Sequence, residues 1–268
     1  MSDEQTKEPV FPDVVARIEK IEQHLHGWAS KPVEFTFNPA GTNLYSIIEL
    51  SLSYAKRCVA FAASIQLLLK DDHIVPATVI ARALIETIGI GCLFLSDMDR
   101  LIVAGDRDQL DTRLKRFYAG FKGSGVEPVH VLDGIRHLEQ LDKAYVKYLD
   151  EKYGVFTRIL GIVREINPAV SNIYEILSVI NNYNDLSEVA HPNGVGTQFM
   201  YPDPTNENSV VEQARNRFRT ASVVAIWQSR YLVTALENSV DLPDRYRAAF
   251  MSLSEGGPGS DSGQDPSN

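Results

Sequence analysis

The sequence has few of the residues that build disulfide frameworks and thiolate metal sites. It contains two cysteines, Cys58 and Cys92, and both lie within strongly apolar segments. Such a pair is typical of reduced thiols in a protein core, whereas extracellular disulfide frameworks use more cysteines at short spacings. We therefore expect a cytoplasmic protein without a disulfide framework.

Positive charge is also scarce in this chain. Lys and Arg total 26 against 35 acidic residues, which gives a formal net charge of −9. A dedicated nucleic-acid-binding domain usually carries the opposite balance, so any contact with nucleic acid must be local. The first ten residues, MSDEQTKEPV, lack the basic and then apolar order of a signal peptide, so we do not expect secretion.

Several common catalytic motifs are missing from the sequence. It has no phosphate-binding P-loop, no dinucleotide-binding glycine motif after a strand, no H-E-x-x-H zinc motif and no G-x-S-x-G nucleophile motif. The histidines lack ligand spacing: His24 and His26 point to different helix faces, while His130 and His137 share a face without a carboxylate pattern. We therefore predict no bound metal and no cofactor.

Helical periodicity is the strongest positive signal. Eight segments fit a 3.6-residue repeat: 12–27, 43–70, 75–96, 98–121, 129–152, 155–165, 169–190 and 209–239. Only 33–37 and 197–201 resemble strands, so at most one small β-hairpin is expected. Because the connections between helices are short, the sequence predicts an all-α helical bundle of about six to eight helices.

The composition also predicts the domain organisation. The first ten residues and the tail 254–268 are rich in Gly, Pro, Ser and acidic residues, so we expect both ends to be disordered. Residues 11–253 are expected to form a single helical domain, because a chain of this length can bury one sizeable core.

The most apolar segment, residues 75–95, is long enough to cross a bilayer but carries Arg82 and Glu86 near its middle. Because charges at bilayer depth are costly, we predict a core helix and no membrane role. The two charges lie four residues apart, so they face the same way and are predicted to pair. Two interpretations remain open: a buried structural ion pair, or part of a polar cleft. Gly89 and Gly91 follow, where a backbone or ligand can approach closely.

A second candidate site lies in YNDLSEVAHPNGVG, residues 183–196. Helical spacing places seven residues on one stripe, whose apolar part is expected to face the core: Ile173, Leu177, Ile180, Asn184, Ser187, Glu188 and His191. Pro192 should end the helix and leave the His191 imidazole beside unpaired carbonyls, before Asn193 and Gly194 reverse the chain. His191 either transfers protons or simply caps the helix. The substrate-binding candidates are Asn184, Ser187, Glu188 and Asn193.

A third patch, RNRFR, contains Arg215, Arg217 and Arg219. Arg215 and Arg219 share a helix face, and Arg217 lies elsewhere. Three arginines within five residues either hold phosphates or belong to a solvated helix face, and we expect the solvated face.

Two segments of the sequence, in this order, resemble motifs of an uncharacterised group of bacterial helical proteins related to the HEPN superfamily: ARALIETIGIGCLFL and Y-x-x-L-S-E-x-x-H-P-N. The resemblance implies an α-helical bundle, frequently a homodimer. In many relatives it implies a metal-independent ribonuclease of toxin systems or phage defence. In those ribonucleases an R-x(4 to 6)-H motif supplies an arginine for phosphate charge and a histidine that moves the proton.

This chain departs from that motif. The positions five to seven before His191 hold Asn184, Asp185 and Leu186, so the arginine is missing and Asp185 would repel a phosphate. If the helix that carries Arg82 packs against the helix that ends at His191, Arg82 would supply the missing positive charge. Three interpretations follow: a nuclease-like enzyme using His191, Arg82 and Glu86; a catalytically inactive module that binds RNA, a nucleotide or a protein; or a purely structural bundle.

The first prediction concerns association. An apolar bundle that resembles a family of dimers should form a homodimer, so light scattering at micromolar concentration should give about twice the monomer mass of 29.9 kDa. A mass near that of the monomer would contradict it.

Overall fold

The computed structural model describes residues 39–119, 126–141, 163–165, 178–190 and 210–251, together with the single positions 20 and 23. Within these ranges the regular structure is entirely helical, which confirms the predicted all-α fold. We label six helices: α1 (Pro39–Lys70), α2 (Ile74–Ala104), α3 (Arg107–Tyr118), α4 (Val179–Ala190), α5 (Val210–Asn238) and α6 (Leu242–Phe250). Residues 131–141 are also helical.

Helix α2 is the centre of the described bundle. It packs most extensively against α5 and α1, and it also contacts α4, α3 and α6. Its buried side chains occur on every turn and on more than one face, as in Leu84, Ile85 and Ile88. A helix that is apolar on most sides belongs in the middle of a bundle, so the core position predicted for this segment is confirmed.

The boundaries of three helices differ from the prediction, and one of them is α4, which begins at Val179 within the predicted segment 169–190 because Ser178 is not helical. The sequence predicted a break near Asp97, but α2 continues to Ala104 and ends at Gly105, whose φ of 67° is the left-handed conformation typical of a helix end. Asp97 does not interrupt α2 because its carboxylate is paired with Arg113 of α3. The α3 helix then starts with the Asp106 carboxylate accepting a hydrogen bond from the Gln109 N–H.

Other predicted segments lie partly or wholly outside the described residues. The two strand candidates, 33–37 and 197–201, and both predicted disordered ends fall there. Two predicted helices, 12–27 and 155–165, contain a few described residues, and these are helical: positions 20 and 23 in the first, and residues 163–165 in the second. Helix α6 was not predicted, because only nine residues form it and a helix this short gives little periodicity.

Two glycines allow α2 to cross residues 131–141 at backbone contact. A Cβ placed on Gly89 would lie 2.8 Å from the Gly134 carbonyl carbon, and one on Gly134 would lie 2.6 Å from that of Gly89. The close approach predicted for Gly89 is therefore an approach by another backbone. Gly91 differs, because a Cβ there would first meet the Leu232 side chain, 2.7 Å from its Cδ1.

The turn between α1 and α2 is tied to α5 by arginines. Asp72 adopts a positive φ of 59°, and its carboxylate accepts hydrogen bonds from Arg215, at 2.7 Å, and from Arg219. The Arg215 side chain is 4% exposed, so the predicted solvated face is wrong for this residue. Arg215 is buried because Asp72 and Glu212 both pair with it, whereas the Arg217 side chain is 51% exposed.

Cys58 and Cys92 are buried, free thiols, as their apolar surroundings predicted. Burial raises the pKa of Cys58 to about 12 and also raises the pKa of Cys92. Both side chains therefore act as small apolar groups in the core.

Two helices have the length and composition of a membrane span, Asn43–Lys70 within α1 and the whole of α2. The core helix of a soluble bundle passes the same test. Most of the apolar stretch of α2 is buried against its neighbours, whereas most of that of α1 is not. The burial of α2 favours its interpretation as a core helix, and the absence of a membrane role stays a prediction.

The second prediction tests the glycine crossing. Gly89→Ala should lower the free energy of unfolding by about 2 kcal/mol, because the new methyl group meets backbone that cannot rotate away. Gly91→Ala is the matched control, and it should change stability by less than about 1 kcal/mol, because the Leu232 side chain can move. Urea denaturation followed by circular dichroism measures both. Equal destabilisation of the two variants would contradict the backbone contact.

Candidate functional site

The packing of α4 against α2 brings Arg82, Glu86 and Tyr183 together. The Arg82 Nε donates to Glu86 Oε1 at 3.1 Å, and the Tyr183 hydroxyl donates to the same oxygen at 3.1 Å. An Arg82 terminal nitrogen donates to the Tyr183 hydroxyl oxygen at 3.3 Å. The three side chains therefore form a closed hydrogen-bonded triangle, which we call the Arg82 triad.

The Arg82 triad is only partly buried. The predicted pairing of Arg82 with Glu86 is confirmed, and their side chains are 23% and 27% exposed, so the pair is not a fully buried one. The Arg82 guanidinium also lies 5.4 Å from the centre of the Tyr183 ring, within range of a cation–π contact. Burial lowers the pKa of Arg82, but its hydrogen bond to Tyr183 and the Glu86 charge outweigh this, so the pKa is raised.

The orientation of α4 differs from the predicted stripe. Its buried face contains Val179, Asn182, Tyr183, Leu186 and Val189. Asn184 and Glu188 are exposed, and Ser187 is half-buried with its hydroxyl donating to the Tyr183 carbonyl at 2.6 Å. The stripe was misplaced because two polar residues, Asn182 and Tyr183, face inward, where both have hydrogen-bond partners.

The other flank of α4 faces α5. Arg217 donates two hydrogen bonds to the Asp185 carboxylate and lies 3.8 Å from that of Glu188. The hydrogen bond with Asp185 raises the pKa of Arg217, so this arginine stays charged. Tyr183 and Asp185 are two residues apart and point to opposite flanks, so Arg82 and Arg217 lie on either side of the exposed face of α4.

A buried amide pair holds α4 on α5. The Asn182 side-chain amide donates to the Gln228 side-chain oxygen at 3.0 Å, and both residues are almost fully buried. Buried amides without partners are costly, so this bond fixes the rotation of α4 about its axis. That rotation is what turns Tyr183 toward Arg82.

The structure thus brings together some of the predicted site residues. Arg82 and Glu86 lie in one cluster, while Asn184, Ser187 and Glu188 lie on or beside the exposed face of α4. His191 and Asn193 lie outside the described residues, so the shared cleft with His191 stays a prediction. Sequence reasoning missed Tyr183 as a member of the cluster, although it is the first residue of the motif YNDLSEVAHPN.

Among the residues that the structure describes, no three His, Cys, Asp or Glu side chains come together as a metal site. No protein-family profile, curated protein or solved structure matches the chain. What the site does is therefore inferred from its residues and their geometry.

The third prediction concerns the Arg82 triad. Because the triad is partly exposed, Arg82→Leu and Tyr183→Phe should each lower the free energy of unfolding by about 1 kcal/mol rather than the larger cost of breaking a fully buried pair. Arg82→Leu combined with Glu86→Leu should cost less than the sum of the single changes, because no charge is left without its partner.

The Asp111–Lys115 pair of α3 is a matched control. It also spans four residues, at 2.5 Å, but its side chains are 41% and 63% exposed. Its coupling energy in a double-mutant cycle should be smaller than that of Arg82 with Glu86. Strictly additive effects of the Arg82 and Glu86 substitutions would show that the triad contributes no coupling.

Proposed function

We propose that this chain is a HEPN-like helical protein that binds RNA or a nucleotide on the exposed face of α4, between Arg82 and Arg217. The observation that carries the proposal is the Arg82 triad. It places a fixed arginine from α2 beside α4, and the resemblance expects an arginine next to the predicted His191. The biological setting that the resemblance implies is a bacterial toxin or phage-defence system.

The geometry of Arg82 suits an anionic ligand. Its Nε and one terminal nitrogen are used by Glu86 and Tyr183, while Nη1 has no hydrogen-bond partner among the described residues. A guanidinium that is held on one side can donate from the other to a phosphate oxygen. The Arg82 side chain is 23% exposed, so a ligand can reach it from solvent.

The surroundings of α4 also reduce the repulsion expected from Asp185. Its carboxylate is paired with Arg217, so the negative charge that would oppose a phosphate is largely offset. Between the two arginines the helix exposes the Asn184 amide, which both donates and accepts hydrogen bonds. Base edges and the ribose hydroxyl of RNA offer matching groups.

The pairing of Arg82 with Glu86 favours binding as the primary role. Glu86 offsets the arginine charge, so the triad stabilises a developing negative charge less than an unpaired arginine would. A metal-independent ribonuclease and a catalytically inactive binding module would share this surface. They differ in whether His191 moves a proton.

The fourth prediction is a loss of RNA binding. Fluorescence anisotropy with a labelled single-stranded RNA should show roughly tenfold weaker binding for Arg217→Gln, because a charge-assisted hydrogen bond is removed. Asn184→Ala should also weaken binding, and it should leave stability unchanged because the side chain is exposed.

The matched control for this binding experiment is Arg136→Gln. Arg136 is 70% exposed and lies on the helical residues 131–141, which belong to neither α4 nor α5. The Arg136→Gln variant should bind RNA as tightly as the wild type does. Absence of RNA binding by the wild type, or an equal loss in Arg136→Gln, would contradict the proposed surface.

Cleavage is measured on the same proteins in the presence of a chelator. If the chain is a ribonuclease, His191→Ala should cut RNA about 100-fold more slowly while retaining binding, because a general acid or base contributes at least this factor. If wild type and His191→Ala both bind RNA and neither cuts it, the chain is an inactive binding module.

A further inference from the structure

A second group of arginines lines a groove between α2 and α3. The groove has a volume of about 420 Å³, and its lining includes Asp97 and Arg100 of α2 with Arg113 and Arg116 of α3. Pockets of this size hold small organic ligands in other proteins. Along α2, Arg82 and Asp97 are separated by about 22 Å at 1.5 Å per residue, so this groove is distinct from the Arg82 triad.

Asp97 positions one of these arginines for a ligand. Its carboxylate is mostly buried and accepts from Arg113 Nε at 2.6 Å, with an Arg100 nitrogen 3.6 Å away. The Arg113 guanidinium also lies 5.3 Å from the centre of the Phe117 ring, which fixes its plane. Both terminal nitrogens of Arg113 have no hydrogen-bond partner among the described residues.

Arg116 is anchored in the same way, one turn along α3. Its Nε donates to the main-chain oxygen of Glu127 at 3.2 Å, and the Arg116 side chain makes no other hydrogen bond within the described part of the chain. Two adjacent arginines are thus each held by Nε with their terminal nitrogens left over.

The charge of the groove contrasts with that of the chain. Three arginines line it against two carboxylates, Asp97 and Asp108, whereas the whole sequence has a net charge of −9. Thr112 and Gln109 line the same groove and add neutral hydrogen-bonding groups. The lining therefore combines positive charge with neutral hydrogen-bonding side chains.

We propose that this groove binds a small phosphate monoester whose body carries hydroxyl groups. The terminal nitrogens of Arg113 and Arg116 bind the phosphate oxygens, because paired guanidinium groups match the geometry and charge of a phosphate dianion. Asp97 is a positioning residue that holds Arg113, and the Asp108 carboxylate accepts hydrogen bonds from the hydroxyl groups of the body.

The test is calorimetric titration of the full chain with ribose 5-phosphate, inorganic phosphate and ribose. Ribose 5-phosphate should bind more tightly than inorganic phosphate, and ribose should not bind. The affinity for ribose 5-phosphate should fall as salt is added, because the interaction is mainly between charges. No saturable binding of ribose 5-phosphate would overturn the proposal, and equal affinity for inorganic phosphate would overturn the assignment of a phosphate ester.

Two substitutions locate the ligand. Arg113→Gln and Arg116→Gln should each weaken ribose 5-phosphate binding by roughly tenfold or more, because each removes charge-assisted hydrogen bonds. Arg113→Gln also breaks the pair with Asp97, so Arg116→Gln, which loses only a main-chain contact, keeps the test decisive if the first variant does not fold. Unchanged affinity in Arg116→Gln overturns the site.

Two controls complete the experiment. Arg136→Gln, an exposed arginine outside the lining of the groove, should bind ribose 5-phosphate with wild-type affinity, and an equal loss there would show that binding depends only on overall charge. Arg217→Gln should also bind normally, because Arg217 belongs to the α4 surface. A loss in Arg217→Gln comparable to that in Arg116→Gln would overturn the groove as the site.

Discussion

Every charge on a helix that is packed on most of its sides must find a partner, and the described bundle depends on this constraint at α2. Along α2, Arg82 and Glu86 both form hydrogen bonds with Tyr183 of α4. Farther along α2, Asp97 forms a salt bridge with Arg113 of α3. The charged groups of the central helix therefore link it to a different neighbour at each level, while the apolar side chains supply most of the stability.

The same constraint places two groups of arginines at different levels of a chain that is acidic as a whole. One lies beside α4 and depends on the Arg82 triad and on the pairing of Arg217 with Asp185. The other lies between α2 and α3 and depends on Asp97. In both, a carboxylate holds the arginine in place. An arginine that is held in place before a ligand arrives would lose less entropy on binding the ligands proposed above.

The parts of the fold that could be predicted from sequence are those with local causes. Long helices follow from apolar spacing, and the pairing of Arg82 with Glu86 follows from their separation of four residues. Tyr183 could not be assigned to the triad, because its partners lie about one hundred positions away along the chain. The rotation of α4 depends on Asn182 and its partner Gln228, 46 positions away, so its buried face could not be derived from periodicity alone.

The extensive packing of α5 on α2 has a consequence for biosynthesis. The apolar surface that α5 covers is made early, and α5 itself follows only after the intervening residues 105–209. At about 5–20 residues per second, translation of that segment takes about 5–20 s. During this interval the apolar surface of α2 that α5 later covers is exposed on the nascent chain. Apolar surface that is exposed during folding is prone to aggregate, so we expect a chaperone that covers it to raise the yield of folded protein.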